Sequence, residues 1–168
     1  MNNFNIVVQE VSESNFDTFI NLFEKYEYEM SQYELYDLSN SGLYQNNSIM
    51  KYINNKFHKA TIFYNNISPV GFAAYYHNDI KRAYSLTELF VVYKYRRCGI
   101  ARKILYNLFT ENRGVWRIDV HPKNLNALSF WLSIIKAEFV SEIKILMNDT
   151  RKYEDGSMPV NIFFTSNK

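Results

Sequence analysis

The sequence predicts an α/β fold in which β-hairpins precede a central βαβ unit, and three observations carry that prediction. Runs of alternating apolar residues are interleaved with helical stripes along the chain. A strand, a basic turn with one glycine and a helix follow one another from Glu88 to Phe109. A further β-rich run, Val115 to Val120, comes next, the order that makes two parallel strands joined by a crossover.

Asn5 to Val11 reads as the first strand. Ser14 is placed to cap a helix whose Phe16, Phe19, Ile20 and Phe23 recur at helical spacing. Polar residues from Ser39 to Asn47 break it, and a shorter helix is expected over Ile49 to Asn55. Ala60 to Tyr64 and Val70 to Tyr76 form a hairpin about the turn signal Asn65-Asn66-Ile67-Ser68-Pro69. Tyr84 to Val92 is the next strand. Ile100, Ile104, Leu105, Leu108 and Phe109 then line one buried helix face, which Asn112-Arg113-Gly114 ends. Asn126 to Lys136 is a second amphipathic helix, with Leu128, Trp131, Leu132 and Ile135 on one side. Phe139 to Met147 and Val160 to Thr165 are read as closing strands around a turn at Asp155-Gly156.

A chain of 168 residues, 47% of them hydrophobic, is expected to form one domain over 1–168 with a full core. Nineteen basic against 17 acidic residues leave a net charge of +2, which argues against a nucleic-acid binder. The single cysteine, Cys98, excludes an intrachain disulfide, and no Cys/His cluster offers a metal site. No apolar run is long enough for a membrane span, and the first residues lack the pattern of a signal peptide, so a cytoplasmic protein with no membrane partner is expected.

The richest stretch runs from Glu88 through Phe90, Val91 and Val92 to Arg96-Arg97-Cys98-Gly99-Ile100-Ala101. A helix starting in this way directs free N–H groups and its positive dipole end at one spot, which suits a phosphate. Gly99 lets an anion approach the main chain, and the arginines add charge. Arg96-x-x-Gly99-x-Ala101 resembles the Arg/Gln-x-x-Gly-x-Gly/Ala signature with which GNAT-superfamily N-acetyltransferases hold the pyrophosphate of acetyl-CoA. Asn124-Leu125-Asn126-Ala127-Leu128-Ser129-Phe130-Trp131 is similar to the family's Asn-x-x-Ala-x-x-Phe-Tyr, and Lys136-Ala137-Glu138-Phe139 to its Lys-x-Gly-Phe close, with Glu138 replacing the glycine. Tyr93 to Gly99 and Val120 to Asn124 look most like a little-described bacterial branch of predicted acetyltransferases, which names no substrate.

The resemblance implies the GNAT (acyl-CoA N-acyltransferase) fold: a mixed, mostly antiparallel sheet of six to seven strands, a central splayed βαβ unit and helices on both faces. It implies acetyl-CoA as co-substrate and no metal. The pyrophosphate would meet main-chain N–H groups from Arg97 through Cys98, Gly99, Ile100 and Ala101 to Arg102, with Arg96, Arg97 or Arg102 adding charge. Free strand-edge groups near Phe90, Val91 and Val92 would take the pantetheine amides and the thioester oxygen, and Asn124, Ala127 and Trp131 would flank the cofactor from the other side.

Glu88 is the candidate general base, as the lone carboxylate of an apolar strand, sharing a face with Phe90 and Val92 by the two-residue period; the plainer reading is a strand-end cap or a partner for a surface cation. Trp131 stands where many relatives have a tyrosine able to protonate the departing thiolate; indole is a donor only, so Trp131 packs either against the pantetheine arm or into the core. His121 lies at the active-site end of the βαβ unit, where it either relays protons or orders the turn before Pro122. Cys98 is not expected to act as a nucleophile. Glu24, Glu27, Glu29, Glu34 and Asp37, interleaved with Tyr26, Tyr28, Tyr33 and Tyr36, form either a wall for a cationic amine or a solvated helix. The expected activity is transfer of acetyl to a primary amine of a small cationic molecule or of a protein lysine or N-terminus, by a monomer or homodimer. A catalytically silent acyl-CoA-binding module is the alternative.

Overall fold

The computed structural model describes residues 4–44, 49–78, 80–139, 142–147 and 150–166. In chain order the elements are β1 (Ile6–Glu10), α1 (Phe16–Met30), the short α2 (Lys51–Asn54), β2 (His58–Asn65), β3 (Ser68–Asn78), β4 (Ala83–Val91), α3 (Ile100–Glu111), β5 (Gly114–Val120), α4 (Leu125–Glu138), β6 (Lys144–Leu146) and β7 (Val160–Ser166). The strands form one sheet in the order β1-β2-β3-β4-β5-β7-β6. Every neighbouring pair is antiparallel except β4–β5, the parallel pair of the βαβ unit.

Strand alternation sorts the apolar residues onto two faces, each covered by helices. On one face Trp116, Ile118 and Val120 of β5 and Val160, Ile162 and Phe164 of β7 pack beneath Ile104, Leu105 and Phe109 of α3 and Trp131, Ile134 and Ile135 of α4. Trp116 is fully buried, stacks on Tyr84 at 4.8 Å and meets Phe109 edge-on at 4.6 Å. Each such aromatic pair adds about 1 kcal/mol beyond the area it buries. On the other face Ala60, Ile62, Phe72, Ala74 and Phe90 pack beneath Phe19, Leu22 and Phe23 of α1 and Tyr52 of α2.

The structure departs from the sequence reading at several boundaries. Ser14 does not cap α1: it lies in a 3-10 turn, Glu13–Asn15, where Asn15 Oδ1 accepts from the Ser12 N–H at 2.8 Å and the helix begins only at Phe16. Leu22 rather than Ile20 joins the buried stripe. The expected strand from Phe139 to Met147 is reduced to Lys144–Leu146, because α4 runs to Glu138 and Phe139 closes it, with its ring 5.5 Å from Phe109 and 5.7 Å from Phe164. The break from Ser39 to Asn47 falls in part on 45–48, outside the described residues; before it, Ser39 and Leu43 close a turn by a 2.9 Å backbone bond. No helix among the described residues is long and apolar enough to cross a membrane.

Candidate active site

β4 and β5 pair over four residues only, from Ala83 opposite Val115 to Leu86 opposite Ile118. Beyond that point β5 continues against β7 and β4 continues against β3, so the two parallel strands part and leave one edge of β4 open. The parting coincides with a β-bulge: Ala74 faces Glu88 while Tyr75 faces Leu86, so Thr87 is the extra residue. Its hydroxyl donates to the Ala74 carbonyl at 2.9 Å and accepts from Tyr52 Oη at 3.0 Å. The bulge changes the parity of the strand. Tyr84 and Leu86 point into the α3/α4 face, and a regular strand would put Glu88 beside them; with Thr87 inserted, Glu88 and Phe90 turn to the α1 face.

The hydrogen-bond register decides which main-chain groups meet the open edge. The Val92 N–H donates to the Val70 carbonyl at 2.8 Å. Alternation along an antiparallel pair then directs the groups of Phe90 and Glu88 to β3 as well, and those of Leu89 and Val91 to the opposite edge. In agreement, the Val91 carbonyl accepts from Arg96 Nε at 2.7 Å. Of the three residues expected to offer edge groups, Phe90 and Val92 are therefore turned inward and Val91 outward. Leu89, which the sequence did not single out, joins Val91 there.

Glu88 is partly buried and accepts a 2.5 Å hydrogen bond from Tyr26 Oη of α1 at Oε2. Burial pushes its carboxyl up to about 7; the Tyr26 bond and Lys51 oppose the rise, and Glu27 and Glu34 add to it. Tyr26 is itself held well above the ordinary phenol range by burial and by Glu88, so it stays a donor. Glu27, 9% exposed, accepts from Tyr36 Oη at 2.5 Å. Burial, then Glu27, Glu154 and Asp155, raise Glu34 to about 7. The acidic stretch is thus divided: Glu27 and Glu34 act electrostatically on Glu88, Glu29 pairs with Arg96, Glu24 accepts from the Tyr44 N–H at 3.1 Å, and Asp37 and Tyr28 are exposed. His121 is buried between Tyr33, stacked at 5.5 Å, and Tyr153 at 4.3 Å. Its Nδ1 accepts from the Lys123 N–H at 3.2 Å, its Nε2 lies 3.8 Å from Asp155, and burial lowers its pKa. It packs the loop before β7 against the segment after α1.

After β4 the chain makes a 3-10 turn, Tyr93–Tyr95, and enters α3 through two left-handed residues, Arg97 (φ 58) and Gly99 (φ 76). The first intrahelical bond runs from the Lys103 N–H to the Gly99 carbonyl at 3.1 Å, so the N–H groups of Ile100, Ala101 and Arg102 lead out of the helix start. A left-handed residue followed by helical ones turns successive N–H groups towards one concavity. Nothing lies within 4 Å of where a Gly99 Cβ would stand, so the turn is open on that side. The donors fit a pyrophosphate by this observation. The three arginines differ: Arg96 is engaged with Val91 and Glu29, Arg102 Nε pairs with Glu138 at 2.8 Å, and Arg97 is exposed with no ion pair among the described residues. Cys98 is exposed, its thiol 3.3 Å from the Arg96 carbonyl.

Asn124 caps α4, Oδ1 accepting from the Ala127 N–H at 3.0 Å, a role its place in the motif did not reveal. Ala127 is partly buried against the α3/α4 core, and Trp131, 6% exposed, belongs to that core with Phe130 edge-on at 5.0 Å. Among the described residues no group of three or more His, Cys, Asp or Glu side chains is placed to hold a metal ion.

Comparison with known proteins agrees with this architecture. Over nearly its whole length the chain superposes on N-acetyltransferases with which it shares little sequence. The Escherichia coli ribosomal-protein-S18-alanine N-acetyltransferase matches at TM-score 0.67 and 11% identity, covering 97% of this chain and 95% of that one. The Vibrio cholerae spermidine N-acetyltransferase, solved with CoA and spermine, matches at 0.68 and 12%, covering 97% and 96%. The Paenibacillus lautus diaminobutyrate acetyltransferase, solved with L-2,4-diaminobutyric acid and coenzyme A, matches at 0.68 and 12%, covering 98% and 96%. No curated protein sequence matches the chain significantly. The model of the acetyltransferase (GNAT) family matches residues 10–133, and with a parted βαβ unit at its centre the chain belongs to that family.

Proposed function

We propose that the protein moves acetyl from acetyl-CoA directly to a primary amine of a small cationic molecule, with Glu88 as general base. The observation that carries this reading is the bulge at Thr87, which sets a partly buried carboxylate beside the open edge of β4. Acetyl-CoA supplies an activated thioester. The N–H groups of Ile100, Ala101 and Arg102 and the exposed guanidinium of Arg97 bind its pyrophosphate. The outward N–H groups of Leu89 and Val91 bind the arm and stabilise charge developing on the thioester oxygen.

An alkylamine with a pKa of about 10.4 arrives protonated. With its carboxyl near 7, Glu88 is substantially ionised at neutral pH and basic enough to take that proton. Tyr26 holds Oε2 and leaves Oε1 for the amine. The amine nitrogen then bonds to the acetyl carbon, the carbon–sulfur bond breaks and the thiolate leaves, and the nitrogen gives up its second proton to solvent, from which the thiolate is reprotonated. Trp131 does not protonate it, being a core residue with a donor-only indole; a thiol of pKa about 8.5 is a fair leaving group unaided. Glu27 and Glu34 give the approach a negative potential that favours a cationic acceptor. The bound spermine and L-2,4-diaminobutyric acid of two similarly folded enzymes support an acceptor with more than one amino group.

The test is thiol release from acetyl-CoA with a panel of diamines, polyamines, monoamines and lysine peptides. Release with a diamine or polyamine, and slower release with monoamines, is expected. Tight acetyl-CoA binding with no release on any amine would overturn the reading in favour of a silent acyl-CoA-binding module.

A further inference from the structure

Arg96 stands first in the phosphate signature, yet its guanidinium is engaged elsewhere. Nε donates to the Val91 carbonyl at 2.7 Å, a terminal nitrogen pairs with Glu29 of α1, and the group lies over the rings of Phe90 at 5.7 Å and Tyr93 at 5.5 Å. Glu29 follows Tyr26 by three residues, so both side chains leave the same face of α1. That helix is therefore pinned to β4 and its turn twice, by Tyr26 on Glu88 and by Glu29 on Arg96, about one helical turn apart.

We propose that Arg96 is a positioning residue for proton transfer: through Glu29 it holds α1 so that Tyr26 stays on Glu88, and it does not bind the pyrophosphate. The proposal rests on Glu88 being the base. A rigid planar fork suits the task, because one guanidinium addresses a carbonyl on the strand and a carboxylate on the helix at once, which a lysine ammonium does not do in fixed directions. The ion pair is about a third exposed on each side, 34% and 37%, so it adds little to stability and its consequence is geometric.

The test is the titration of Glu88, followed by carboxyl carbon NMR on the unliganded protein, in the wild type, Glu29→Gln and Arg96→Gln, with acetyl-CoA affinity measured by calorimetry. Loss of the Tyr26 bond removes a contact that favours the carboxylate, so the midpoint is expected to rise in both variants. Glu29→Gln discriminates by sign, since deleting a negative charge would by itself lower the midpoint. Acetyl-CoA affinity is expected to stay within about twofold in both, because neither side chain touches the cofactor on this account. The acid limb of kcat should follow the midpoint upward, and the double variant should be no worse than either single one. An unmoved or lowered midpoint in Glu29→Gln overturns the proposal. So does a tenfold or greater loss of acetyl-CoA affinity confined to Arg96→Gln. Failure of every amine to be acetylated would instead overturn the proposed function, and the titration would still be readable.

Discussion

Replacing Glu88 by Gln is expected to move activity and stability in opposite directions. Gln keeps the size of the side chain and an oxygen for the Tyr26 hydroxyl, and removes only the capacity to take a proton. Turnover should fall by roughly 10²–10⁴-fold, the range for loss of a general base, with acetyl-CoA affinity unchanged. Stability should rise. The Glu88 carboxyl goes from 4.5 to about 7 on folding, chiefly by burial. Between those values the folded protein keeps a proton that the unfolded chain has released, so stability is complete below about pH 4.5 and is lost as pH rises through 7. At about 1.4 kcal/mol per pH unit the loss approaches ~3 kcal/mol at pH 8, an upper bound that Gln does not incur. For a chain of this size that corresponds to a melting temperature higher by up to roughly 6–12 °C.

The assay is kcat against pH from 6 to 9, with an acceptor that the wild type acetylates, alongside melting temperatures at pH 5 and pH 8. Two results would each refute the reasoning. Wild-type turnover in the Gln variant would make Glu88 structural. A melting difference that does not grow between pH 5 and pH 8 would mean that the carboxylate is not desolvated, and the argument for its basicity would fall with it.

Three other expectations can be checked independently. Gly99→Asn and Gly99→Asp both tolerate the left-handed conformation better than other residues and place a Cβ in open space, so both should fold; Asp should weaken acetyl-CoA binding by about 3 kcal/mol, roughly a hundredfold, and Asn by less. Equal, unchanged affinity by calorimetry would move the pyrophosphate elsewhere. Glu34→Gln should raise the KM of a cationic acceptor and flatten its dependence on salt while leaving the KM of acetyl-CoA alone, as read from initial rates at low and high ionic strength. Asn124→Ala removes the cap of α4 and should cost about 1 kcal/mol, a fall of roughly 2–4 °C in a thermal melt, whereas an unchanged melt would show the cap bond to be idle.

Local patterns were legible in the sequence because local physics makes them. Gly99 in its basic turn announces the start of a helix, and the stripe from Ile100 to Phe109 announces the face that α3 buries. With Val115 to Val120 following, the parallel pair and its crossover helix could be read in advance. The bulge could not. Tyr84, Leu86, Glu88 and Phe90 look like one unbroken alternation, and only the pairing with β3 shows that Thr87 breaks it. Glu88 was placed with Phe90 correctly, but its separation from Leu86, which makes the carboxylate reachable from α1, is a property of the sheet. Tyr26 and Arg96 were illegible for the same reason, since their partners lie 62 and 67 residues away. Phe139 was read into a strand because an aromatic after a helix carries no sign of whether it opens the next element or closes the last.

The two faces of the sheet divide the labour, and Trp131 shows why. The resemblance implied a tyrosine hydroxyl at this place; the chain carries an indole there, and it is absorbed into a core that already holds Trp116, Phe109 and Phe164. That face is filled chiefly by apolar packing. The ionisable groups argued to act on the acceptor, Glu88 with Tyr26, Glu27 with Tyr36, and Glu34, lie on the α1 side, two of them tied by short hydrogen bonds from tyrosines. The proposed mechanism therefore confines proton transfer to one side of β4, and cofactor binding to its open edge and the turn beyond it. The Arg96 guanidinium joins the edge carbonyl of Val91 to Glu29 of α1, the helix that carries Tyr26, which is why its effect is expected in the titration of Glu88 rather than in the affinity for acetyl-CoA.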